Sequence, residues 1–352
     1  MMASMPPFHH LVVHRFLASE IDARALKCAL DIGLIDRLAH APASEAELAR
    51  SLDKGEAGMA ALCGLLASNN VLARDGGALA LNPAFLAALA FRDLIELRID
   101  FADQVWPDIH EFFAPLLFDT PQFMARSRTF SLFRYDLAMN TAPEQIAATR
   151  AWTRLTTGLT KYEARAPLAL VDLAEVETLV DLGGNTGEFS RRLCEARPAL
   201  SATVVDLPAV CAIGRAHLDA DAAPQVARRV AFHPADMRRD ALPAPADLVT
   251  LKSVLHDWPP PDAAQLIARA AGLVRPGGRL MIFERAPLDF AHRRITYALA
   301  PDLVFLHFLR PEALYLTALA NCGLQVVECR RVALEVDFHL IVARRPGGRH
   351  GG

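Results

Sequence analysis

The stretch 178–187, Thr-Leu-Val-Asp-Leu-Gly-Gly-Asn-Thr-Gly, constrains this chain more than any other. Leu179, Val180 and Leu182 surround Asp181 and run directly into Gly183 and Gly184, and Gly187 leads into a helical pattern over 189–196. A buried strand, a tight turn and a helix start, in that order, are where an open α/β sheet binds its nucleotide. Glycine lets the backbone approach a ligand and adopt angles that a side chain forbids. The next apolar run, 202–205, ends at Asp206, 23 residues after Gly183. An acid at a strand end and at that distance is placed to grip a ribose diol. The glycine order Gly183-Gly184-x-x-Gly187 departs from the Gly-x-Gly-x-x-Gly of dinucleotide sites, so the spacing leaves the ligand open.

The same rhythm continues downstream. Short strands are predicted at 230–232, leading to Asp236-Met237, at 247–251, ending at Lys252, and at 279–283, ending at Glu284. Pro276-Gly277-Gly278 is the turn before the last of these. Strands at 324–327 and 338–343 bring the count to seven, with the final pair antiparallel.

Upstream, to about residue 165, the pattern is helical. Apolar positions over 10–39 have helical spacing with a break at Gly33. Ser44 and Glu47 form a capping box that opens a short helix. A further helix over 59–69 and a hairpin over 71–81, turning on Gly76 and Gly77, complete a winged-helix pattern. A DNA-reading helix needs basic side chains for phosphates, and residues 56–73 contain no Lys or Arg, so this unit reads as a packing and pairing module. Amphipathic helices follow, then an aromatic-rich stretch over 106–135 that holds Arg126, Arg128 and Arg134. These are either solvated surface arginines or a bidentate clamp for a substrate carboxylate.

Composition limits the setting. A net charge of -3 with 22% charged residues gives no electrostatic case for nucleic acid or membrane. The six cysteines lack Cys-x-x-Cys spacing, no apolar run approaches the length of a membrane span, and the first residues lack a signal-peptide pattern. The expectation is a cytoplasmic protein in three parts: 1–165 helical, 166–345 α/β, and a disordered tail, 346–352.

In combination, Asp181-Leu-Gly-Gly-Asn-Thr-Gly187, Asp206-Leu-Pro208, Ala235-Asp236-Met237, Leu251-Lys-Ser-Val-Leu-His-Asp-Trp258 and Arg275-Pro-Gly-Gly278 resemble the S-adenosylmethionine-dependent small-molecule methyltransferases. That family includes the plant caffeic acid O-methyltransferases and bacterial antibiotic-pathway enzymes. The resemblance covers nearly the whole chain and implies a Rossmann-like seven-stranded sheet, an N-terminal winged-helix dimerisation region and a homodimer. It implies S-adenosylmethionine as cofactor and a small-molecule acceptor as partner. Asp181, Gly183 and Gly184 would lie at the methionine end, Asp206 at the ribose, Asp236 and Met237 at the adenine, and Lys252 on the adenine side. His256 looks like the family's base, which suits an imidazole that must take a proton from a phenol or enol, and Glu284 like the carboxylate that orients it.

The chain departs from the family where a second carboxylate is expected. Leu309 stands in place of that glutamate and His307 in place of a glycine. Two imidazoles, His256 and His307, can hold iron or another transition metal, and such a metal could stabilise the enolate of a 2-oxo acid whose carboxylate Arg134 grips. The expectation therefore leans to carbon methylation beside the keto group. The alternative is O-methylation of a phenolic or enolic hydroxyl, with His256 alone as base and His307 lining the pocket. A methyltransferase fold turned to decarboxylation or hydroxylation and a DNA-binding regulator are the remaining readings.

Overall fold

The computed structural model describes residues 8–292 and 294–347, so the predicted tail beyond 347 lies outside the described residues. The chain forms two compact units, Met1–His110 with Phe290–Leu303, and Glu111–Asp289 with the C-terminal segment from Val304. The division falls well before residue 165. The reason is that Pro143–Glu163, expected in the first part, packs against the helices Pro208–Asp221 and Glu188–Ala196 of the second unit.

In the first unit the 10–39 pattern becomes three pieces, His9–Phe16, Glu20–Asp31 and Leu34–His40. Gly33 makes the second break in left-handed conformation, φ 78°. The first break follows from Ser19, whose side chain accepts the Asp22 amide while the Asp22 carboxylate accepts the Ser19 amide. Ser44 and Glu47 form the expected capping box ahead of Glu45–Ser51. The helix Glu56–Ser68 precedes a hairpin, β1 (Leu72–Asp75) and β2 (Ala78–Leu81). Its two turn glycines, Gly76 and Gly77, both take positive φ, 54° and 91°, which a two-residue hairpin of this hand requires.

The second unit contains the sheet. Its strands are β3 (Thr178–Leu182), β4 (Ser201–Asp206), β5 (Val230–Pro234), β6 (Ala246–Lys252), β7 (Val274–Arg285), β8 (Gln325–Ala333) and β9 (Asp337–Arg344). They lie in the order β5-β4-β3-β6-β7-β9-β8. β9 pairs antiparallel with both β7 and β8, and the other pairs are parallel. Parallel strands covered by helices on both faces need apolar residues on both sides, and Leu179, Val180 and Leu182 are all buried. The strand order reverses between β3 and β6, which opens a crevice at their carboxyl ends. The glycine turn lies at that crevice.

Candidate active site

Gly183 leaves β3 with φ 67° and lines a cavity of about 520 Å³ in the second unit. A Cβ there would stand 2.6 Å from Val254 Cγ2, so only glycine keeps the turn open beside the β6 loop. Asp206, at the end of β4, lines the same cavity and braces the turn, its Oδ2 accepting the Asn185 amide at 2.8 Å. Burial pushes its carboxyl up to about 6, against the pull of the Leu207 and Asn185 amides.

Asp236, Met237 and Lys252 also line the cavity. Burial alone would raise Asp236, but Arg238 and Arg239, both bonded to Oδ2 at 2.8 Å, hold it below the ordinary carboxylate range. Lys252 Nζ donates to Thr160 Oγ1 at 3.1 Å and to Glu163. Glu163 also accepts from Arg285, so one buried carboxylate joins two cations at the wall.

Asp181 and Gly184 are not among the lining residues, contrary to expectation. Asp181 is buried and accepts hydroxyl bonds from Thr250 at 2.7 Å and Ser190 at 2.9 Å. Burial lifts its carboxyl to about 6 despite those bonds. A Cβ on Gly184 would stand 2.6 Å from Asp181 Oδ2, so this pair props the turn instead of facing the cavity.

His256 follows β6 in a single helical turn, Leu255–Asp257. Its Nδ1 lies 2.7 Å from Glu284 Oε2 at the end of β7. Glu284 is fully buried, and its Oε1 accepts the amides of Val254 and Leu255 at 2.6 and 2.7 Å. A carboxylate accepts, so Nδ1 carries the proton and Nε2 the lone pair. Burial works against a charged ring here, but Asp257 and Glu284 outweigh it and raise the His256 pKa above 6.5. His256 is not itself a lining residue; its neighbours Val254, Asp257 and Trp258 are, and its imidazole is 12% exposed.

Arg134 and His307 are corrected by the structure. Arg134 is exposed and spends its guanidinium in two bonds of 2.6 and 2.8 Å on Asp136, a lining carboxylate two residues away, so it is not left over for a substrate carboxylate. Arg126 stacks over Phe112 at 4.3 Å and Arg128 pairs with Glu111. None of the three lines the cavity. His307 is exposed, and its Nε2 donates to the Leu116 carbonyl at 2.9 Å, while Leu309 is buried as an apolar side chain. Each imidazole spends one nitrogen, His256 Nδ1 on Glu284 and His307 Nε2 on a carbonyl, and among the described residues the pair lacks the third ligand a metal centre needs. Among the described residues no group of three His, Cys, Asp or Glu side chains is arranged to hold one.

Sequence reasoning passed over Tyr135, Trp152 and Glu163 as lining residues. The signal lay on Pro143–Glu163, where Trp152, Thr156, Thr160 and Glu163 recur at spacings of four, four and three along one face.

A family model described as an O-methyltransferase domain matches residues 120–309, more than half of the chain. The chain belongs to this O-methyltransferase domain family. Acetylserotonin O-methyltransferase of Mus musculus molossinus is 34% identical over 186 residues, 51% of this chain and 47% of that protein. The 3-hydroxy-5-methyl-1-naphthoate 3-O-methyltransferase of Streptomyces sahachiroi is 37% identical over 121 residues, 34% of each chain. The matched part therefore spans about half or less of these relatives' own length. In fold, the chain is similar to human N-acetylserotonin methyltransferase solved in complex with S-adenosylmethionine, with a TM-score of 0.60 at 20% identity over 98% of this chain and 100% of that one. That likeness is one of fold and spans nearly the whole of this O-methyltransferase family member.

Proposed function

We propose that this chain is an S-adenosylmethionine-dependent methyltransferase of specialised metabolism that methylates a hydroxyl oxygen of a small molecule, with His256 as general base. The observation that carries the proposal is the Glu284–His256 contact, which leaves the Nε2 lone pair available to take a proton. The family model and the O-methyltransferase relatives support oxygen as the methylated atom, and the lack of a third ligand beside His256 and His307 among the described residues gives carbon methylation through a metal no support.

The cavity walls fit the cofactor. Gly183 leaves the space that a Cβ would narrow, and Asp206 offers a carboxylate at a strand end for a ribose diol. Tyr135, Trp152 and Trp258 supply an aromatic wall, and the buried Nε1 atoms of both tryptophans have no partner among the described residues. When bound, S-adenosylmethionine supplies a methyl group made electrophilic by its sulfonium. The protein positions the acceptor, removes its hydroxyl proton at Nε2 and stabilises the resulting imidazolium with Glu284 and Asp257. The proposal includes pairing of two copies, which the exposed apolar side chains Ile21 and Leu86 support and sedimentation at rising concentration tests.

Calorimetric titration with S-adenosylmethionine, followed by labelled methyl transfer to phenols and enols with and without chelator, tests the reading. Saturable binding and chelator-indifferent methylation of oxygen are expected. No cofactor binding, or a carbon-methylated product that chelation abolishes, overturns it.

A further inference from the structure

Asp257 is engaged through both of its oxygens. Oδ2 accepts the Tyr135 hydroxyl at 2.9 Å, and Oδ1 lies 3.4 Å from His256 Nε2. The other ring nitrogen of His256 is bound to Glu284, so phenol, carboxylate, imidazole and carboxylate form one chain of contacts. Tyr135 reaches this chain from 122 residues upstream. Its ring is itself wedged, 5.4 Å from Trp152 in an edge contact and 6.3 Å from Trp258, which fixes the direction of the phenol. Glu284 needs no such help, because two backbone amides already orient it. Asp257 is the last residue of a single helical turn, half-buried, and Tyr135 is the side chain that pins its second oxygen.

We propose that Tyr135 is a positioning residue for the base, a role that rests on His256 acting as proposed above: it anchors Asp257 so that this carboxylate faces Nε2 and stabilises the imidazolium. The acceptor's O–H proton passes to the Nε2 lone pair. The electron pair left on oxygen forms the bond to the methyl carbon as the carbon–sulfur pair returns to sulfur.

The charges facing His256 are Asp257 from its own turn and Glu284 and Arg285 from β7; burial and Arg285 disfavour the charged ring, and the two carboxylates favour it. Asp257 is itself raised by burial, against the pull of His256 and the Tyr135 hydrogen bond. Loss of that bond therefore weakens the ionised carboxylate and frees it to turn away from the ring.

The test follows the His256 imidazole by NMR titration in the full chain labelled at histidine carbons, without cofactor or acceptor, and so is independent of whether methyl transfer is the reaction. In Tyr135→Phe the His256 midpoint should fall by about half a pH unit, the scale of one weakened charge contact near the surface. In Asp257→Asn it should fall further. The double variant should match Asp257→Asn alone, since a residue acting through Asp257 has nothing left to act on. A midpoint that stays or rises in Tyr135→Phe overturns the proposal. So does a shift from Tyr135→Phe that is as large in the Asp257→Asn background as in the wild type. Failure of the functional reading shows separately, as absence of S-adenosylmethionine binding in the unaltered protein.

Discussion

At the scale of single residues, the proposed function separates groups that would meet the cofactor from groups that would meet the acceptor. It assigns His256 to the second set. His256→Ala is expected to lower kcat by about 10²–10⁴-fold, the usual contribution of a positioned base, with S-adenosylmethionine affinity unchanged by calorimetry. Equal losses in both would place the imidazole at the cofactor instead. Because its pKa is raised above 6.5, the ring is an imidazolium, unable to accept a proton, until the pH passes that higher value. The rising limb of kcat/KM should therefore lie above 6.5, and the stability that the charged ring contributes is full below 6.5 and lost as pH rises through the raised value. Asp206 shifts in the same direction for a different reason. Burial lifts it from 3.8 to about 6, so the folded chain takes up its proton first, and stability from this group falls as pH rises across that interval. Only the ionised carboxylate accepts both hydroxyls of a diol. S-adenosylmethionine affinity should weaken as pH falls below about 6, by at most about tenfold per unit, and Asp206→Asn should abolish that dependence.

At the scale of elements, the turn after β3 joins sheet and cavity. Gly183→Ala places a side chain on a residue at φ 67° and 2.6 Å from Val254, which should cost about 1–3 kcal/mol in chemical denaturation and weaken cofactor binding as well. Unchanged affinity would show that the cavity mouth is not where the ligand enters. This turn was legible in the sequence because a buried strand, a tight turn and a helix start are specified by neighbouring residues. The seven strands and the antiparallel final pair were legible for the same reason. Arg134 was not, since an arginine's destination depends on which carboxylate it meets, and Asp136 was two residues away. His307 was misread because a substitution at a family position reveals a new side chain but not its direction, and here it turns to the Leu116 carbonyl. Asp181 shows a subtler limit, because the same strand-end pattern suits a ligand contact and a buried prop.

At the scale of the whole molecule, the α/β unit holds the cavity, the Glu284–His256 pair and most of the matched family region, while the first unit is built from two separate stretches of chain, the second of which, 290–303, lies inside that match. Within that first unit, Tyr297 stacks on Trp106 at 5.5 Å with planes 12° apart, and it bonds Asp103 from 194 residues downstream. Arg24 bonds both Asp103 and Tyr297, so three distant stretches share one cluster. The cluster governs how such a gene can be recombined. A single crossover that imports 1–110 from a relative leaves the native 290–303 behind and pairs Tyr297 with a foreign seat. Such chimeras should melt at lower temperature than either parent, and a second crossover that brings 290–303 with its own partners should restore the loss. Homologous exchange within this lineage then works only in matched pairs, and halves drawn from different parents do not assort freely.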